Sequence, residues 1–201
     1  MTGAPVVVAA GYRAARTHLV PALSLACVTT LVNEWGTVPR ETSPRPWAGH
    51  PGTGSPERRL LAAEWGSRPP SDAAIAAAAD TVHPVFAAAS PAERARRLDA
   101  LVAALGVVPR VTTAPAGPVL DWAVHRRADL LAAALAVALL PAPVPPVRAP
   151  RLGTCGADDC ADVFADVSPR QDRAYCSTRC QTRQRARAHR ARRRTDVQSR
   201  P

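Results

Sequence analysis

Four cysteines fall within 26 residues near the C-terminus, and their spacing constrains this chain more than any other feature. Cys155 and Cys160 bracket four residues, Cys176 and Cys180 bracket three, and fifteen residues separate the two pairs. A segment this small has too little apolar surface to fold around its own core, so something else must staple it. Two short pairs across such a gap suit one tetrahedral Zn2+, with each pair supplying two thiolates from a turn. Four thiolates leave no open coordination position, which makes the expected site structural rather than catalytic. A redox dithiol pair is the alternative. His189, nine residues beyond Cys180, reads as a solvent or phosphate contact rather than a ligand. The fifth cysteine, Cys27, lies in the apolar run 23–32 and reads as a buried small hydrophobe. Between the pairs, Val163, Phe164 and Val167 precede a turn at Ser168, Pro169 and Arg170, and Ala174 and Tyr175 return. This predicts a hairpin across the spacer, with Phe164 and Tyr175 as its small core.

Beyond the second pair the chain turns basic. All 26 cationic side chains are arginine, and the formal net charge is +10. The lack of lysine excludes a P-loop lysine, Schiff-base chemistry and a lysine general base. From Arg179 onward there are nine arginines and one acid, Asp196. With Ser177 as N-cap, a helix would place Arg179, Arg183, Arg187, Arg190 and Arg194 within an arc of about 80°. It has no apolar stripe to hold it to a core, so a polyanion is the expected partner, with a solvated charge face as the bland alternative. Guanidinium forks suit phosphate and guanine edges, which points to double-stranded DNA. An RNA or ribosome-associated binder, or an adaptor for an acidic protein, are the alternatives for the same module. The low aromatic content, 4%, disfavours single-strand stacking.

The remaining 150 residues divide by punctuation. Domains are expected at 1–148 and 149–201, joined through the proline-rich stretch 141–150. Ser90, Pro91 and Glu93 form a capping-box start for a helix that closes at Gly106. Periodicity predicts further helices over 119–140, over 72–89 with a kink or split at Pro84, and over a short segment between Pro56 and Gly66. The β-branched stretch 107–113 contains Pro109 and is expected to be an edge strand at best. Residues 38–56 read as a long exposed loop. The fold class is therefore a mainly α N-terminal domain, with minor edge strands as an α+β variant, plus a small four-cysteine zinc-binding hairpin and a basic C-terminal helix. The longest apolar run, 130–140, is too short to cross a bilayer, and the expected location is cytoplasmic. Glu34, Glu64, His83, Asp121 and His125 are scattered without a motif, so no enzyme activity is expected.

The C-terminal residues resemble the CGNR-type zinc fingers, whose members pair an N-terminal domain called ABATE with a zinc module and are described as candidate stress-induced transcription regulators. The resemblance rests on Cys155, Cys160, Phe164, Asp166, Ser168, Arg173, Cys176, Ser177 and Cys180, and on the Arg/Ala/His helix that follows. The family's Cys-Gly-Asn-Arg reads Cys180-Gln181-Thr182-Arg183 here, so Arg183 alone carries over beyond the cysteine. Over the first 150 residues the likeness is limited to helix order and to the segment Leu31-Val32-Asn33, where Asn33 is expected to cap or turn the chain. The resemblance implies zinc binding and a role in transcription regulation; on the DNA-binding reading the N-terminal domain senses a signal from an unidentified effector or forms a homodimer.

Overall fold

The computed structural model describes residues 17–43, 49–65, 68–140 and 149–198. Most of the expected linker, 141–148, lies outside them. The apolar run 23–32 opens helix α1 (Leu25–Trp35), capped by Ser24, whose hydroxyl accepts from the Cys27 N–H. Next come α2 (Thr37–Thr42), α3 (Pro56–Trp65), α4 (Asp72–Phe86) and α5 (Pro91–Ala104). Strands β2 (Val108–Ala114) and β3 (Gly117–Val124) form a hairpin that β1 (His18–Leu19) joins on the far side of β3. A 3-10 turn at Arg127–Asp129 leads into α6 (Leu130–Val137).

The core lies where α4 packs between α1 and α6. Val28, Leu31, Val32 and Trp35 meet Ile75, Val82 and Phe86 of α4, while Leu131 and Leu135 close the other side. Each such side chain contributes about 1.5–3 kcal/mol on burial. Cys27 is buried here, as expected of a small hydrophobe.

The capping box holds with one shift: Ser90 Oγ accepts from the Glu93 N–H, but the Glu93 carboxylate accepts from Ala89, one residue further back. Gly106, at φ 60°, ends the segment. Pro84 does not split α4, because it lies in the last turn and the helix stops two residues later. The carbonyls left over at that end are taken by α5, with Arg97 donating to Pro84 and Arg94 to Val85 and Ala88.

Three sequence expectations need correction. Residues 119–124 are strand rather than helix: Val111 pairs with Leu120 and Pro109 with Trp122 across seven registered positions. Val119, Leu120, Trp122 and Val124 satisfy helical and alternating patterns alike, and the turn at 115–116, with Gly117 at φ 121°, decides for the hairpin. Pro109 does confine β2 to an edge, so a sheet exists where only a stray strand was expected. The expected loop 38–56 overlaps α2, so residues 38–42 are helical and Pro39 is buried. No described helix is long and apolar enough to cross a membrane.

Candidate metal centre and its arginine helix

The C-terminal module starts with β4 (Arg151–Thr154) and β5 (Val163–Asp166), an antiparallel pair with the first two cysteines in the loop between them. The predicted hairpin across the spacer is thus displaced. β5 pairs with the strand before Cys155, and Ala174 only accepts one hydrogen bond, from the Gly156 N–H. The cause is local: the Asp166 carboxylate accepts from the N–H groups of Ser168 and Arg173, and Gln171 sits at φ 49°, so the spacer coils on itself. Phe164 and Tyr175 do not form a shared core. Phe164 is buried over Gly153, with the Arg151 and Arg173 guanidiniums 5.4 Å from its ring, whereas Tyr175 packs on the cysteines.

The ladder register explains how the module is held. The Cys155 N–H donates to the Asp162 carbonyl, so the neighbouring pair, Thr154 and Val163, is a non-hydrogen-bonded one. The backbone groups of Val163 therefore face away from β4, and Asn33 of α1 takes both. Its Oδ1 accepts from the Val163 N–H at 2.7 Å and its Nδ2 donates to the Val163 carbonyl at 3.1 Å. Asn33 is thus a strap across 130 residues rather than a local cap or turn. His83 adds a weaker contact to the Ala161 carbonyl at 3.3 Å, and Leu152 and Val163 join the main core.

Cys155, Cys160, Cys176 and Cys180 converge so that their four sulfurs lie within 4.8 Å of one another. A tetrahedral ion with Zn–S bonds of about 2.3 Å sets its sulfurs about 3.8 Å apart. The Cys160–Cys176 and Cys176–Cys180 sulfurs are 3.8 and 3.5 Å apart, so the cage fits that ion closely. Among the described residues it is the only group of His, Cys, Asp or Glu side chains compact enough to hold a metal, and His189 stands outside it, exposed. Glu34, Glu64, Asp121 and His125 form no such cluster.

The protonation of the cage is uneven. Burial pushes the Cys160 and Cys176 thiols up from their ordinary range, with Asp162 and Cys155 adding to it. Burial acts on Cys180 too, but hydrogen bonds from Ser177 and the other three cysteines outweigh it and bring that thiol below its ordinary value. Arg183 Nη2, 3.4 Å from the Cys180 sulfur, completes this setting. A metal entering the cage must displace protons from Cys160 and Cys176.

Ser177 caps α7 (Thr178–Gln198) as expected, its hydroxyl accepting from the Cys180 N–H. The helix therefore begins within the knuckle that carries the last two ligands. Of the five arginines on the expected arc, two are engaged: Arg183 and Arg187 both bond the Asp159 carboxylate, at 2.8 and 2.6 Å. Burial alone would raise Asp159, yet these two guanidiniums hold its carboxyl below the usual range. Gln184 adds a bond to Asp158. Arg179, Arg190 and Arg194 are exposed, as are Arg185, Arg192 and Arg193. The sequence reading missed the last three by restricting itself to one face, and it missed the bracing role of Asp159, although an acid just before Cys160 was visible.

No curated protein matches the chain closely enough to count as a relative. Residues 151–193, which comprise the β4–β5 ladder, both cysteine pairs and most of α7, match the family model of the CGNR zinc finger, and the four cysteines within them are positioned for metal binding.

Proposed function

We propose that the chain is a transcription regulator that binds duplex DNA through α7, with the four-cysteine zinc knuckle fixing the direction of that helix. One observation carries the reading. α7 is braced at its first turns by Asp159 through Arg183 and Arg187, while six further arginines, from Arg179 to Arg194, are exposed and have no carboxylate partner among the described residues. A helix of 21 residues extends about 30 Å, so its far end stands well clear of the knuckle. Arg183 and Arg187 set the lever, and Arg179, Arg185, Arg190, Arg192, Arg193 and Arg194 meet the phosphates and base edges. The N-terminal helical body, of the ABATE type on this reading, receives the signal and pairs two copies. The role is binding rather than catalysis.

The test is fluorescence anisotropy on a labelled duplex over a salt series. Four to six neutralised phosphates give a slope of log K against log salt of about −4 to −5. An Arg190→Ala/Arg194→Ala variant should lower that slope by about two, with weakening spread evenly over sequences. Affinity indifferent to salt, or a preference for structured RNA over duplex DNA in competition, overturns the DNA reading.

A further inference from the structure

A cleft of 440 Å³ lies where the N-terminal body meets β4. Its apolar wall is built by Leu25, Leu98, Leu139 and Leu152, from α1, α5, the turn after α6 and β4, and its polar end by Arg94 and Arg151. Among the described residues, its lining includes no carboxylate. Its volume falls in the range of small-molecule sites, as does its character, mostly apolar with a few convergent polar groups.

The two guanidiniums are unusual in what they lack. Arg94 spends Nε and Nη2 on carbonyls of Val85, Ala88 and Leu152, which leaves Nη1 unused. Arg151 donates from Nη2 to the Arg173 carbonyl, while its Nε is buried with no partner. The acid across the ladder from Arg151, Asp166, is hydrogen-bonded by the N–H groups of Ser168 and Arg173 and feels the Arg151 charge, but makes no close ion pair with it. Burial, and secondarily the charge of Arg151, draw the Arg94 guanidinium below its ordinary value. Two half-buried guanidiniums at the end of an apolar cleft, each with a donor unspent, suit a shared anion, and a single carboxylate matches the fork geometry and the limited number of free donors.

We propose that this cleft binds a small apolar molecule bearing one carboxylate, held by Arg94 and Arg151. Arg94 already joins α4 to β4 through its carbonyl bonds, so the bound molecule touches both the N-terminal body and the metal module. Occupancy therefore tightens their junction. The inference stands apart from nucleic-acid binding, because it needs no DNA to be tested.

The experiment is calorimetric titration of the zinc-loaded full chain with octanoate, octan-1-ol and octylamine, paired with thermal unfolding. Octanoate should bind saturably at one per chain and raise the unfolding temperature. Loss of the charge-assisted hydrogen bonds should make octanol roughly tenfold weaker or worse, and octylamine should not bind. Arg151→Met should weaken octanoate roughly severalfold, toward the level of octanol, without altering octanol itself. Should that variant fold poorly, Ala95→Trp serves in its place: Ala95 lines the cleft from the exposed side of α5, so the indole fills the space and should abolish octanoate binding in a folded protein. Equal binding of all three probes, no binding of octanoate up to about 10 mM, or undiminished binding in Ala95→Trp overturns the proposal.

Discussion

Replacing Asn33 tests whether one side chain couples the helical body to the metal module. Val163 is 1% exposed, and both of its backbone polar groups depend on the Asn33 amide. An orphaned buried group costs about 1–3 kcal/mol, so Asn33→Ala should destabilise the chain by about 2–5 kcal/mol. For a protein of this size that lowers the midpoint by about 5–15 °C. Asn33→Asp is the sharper probe, since it keeps shape and volume but turns a second acceptor toward the Val163 carbonyl. At neutral pH it should cost about as much as alanine. As the pH falls, the protonated carboxyl regains a donor, so its deficit relative to the parent should shrink. The carboxyl introduced there has its folded pKa raised, and stability returns on the acid side. The assay is calorimetric unfolding of the zinc-loaded chain, with hydrogen exchange at the Val163 amide as the local reading. A midpoint change under about 2 °C in Asn33→Ala, with Val163 exchange unaltered, refutes the strap.

Chelation, or Cys176→Ser, should remove about one zinc per chain and unfold the C-terminal module while α1 and α4 keep their helicity, followed by metal analysis and circular dichroism. Asp159→Asn should free Arg183 and Arg187 and speed amide exchange in the first turns of α7 by roughly severalfold without releasing the metal. Gly153→Ala sets a Cβ 2.8 Å from Phe164 Cζ, inside a ring that is buried and flanked by two guanidiniums, so about 1–3 kcal/mol of overpacking strain should appear in urea unfolding. Asp166 is held below the usual carboxylate range by hydrogen bonds from Ser168 and Arg173. Its stabilisation is complete above the unfolded pKa, about 3.9, and is lost as the pH falls through the lower folded value, so the urea-midpoint gap between parent and Asp166→Asn should close on acidification.

The cysteine spacing was legible because metal ligation is a local demand: two turns, each carrying two thiolates, leave their mark in sequence. The Ser177 and Ser90 caps were of the same kind, with partners within three residues. What escaped were choices made at long range. Nothing near Asn33 announces Val163, and nothing in 163–166 says that the partner strand lies before Cys155 rather than after Ala174. The helix expected over 119–140 holds only for its second half, α6, and its first half failed for another reason. A short apolar stretch with valine and tryptophan satisfies both periods, and only pairing with 108–114 decides between them.

That arginine alone supplies the fixed positive charge of α7 has one more consequence. Guanidinium groups keep their charge across the biological pH range, and the chain offers no amine on any side chain for acetyl transfer. The helix therefore cannot be dimmed by acidification or by lysine acylation. On the proposed DNA-binding reading, its grip on a polyanion would be adjusted through ionic strength or through loss of metal from the cage beneath it, and those two dials work on different parts of the module.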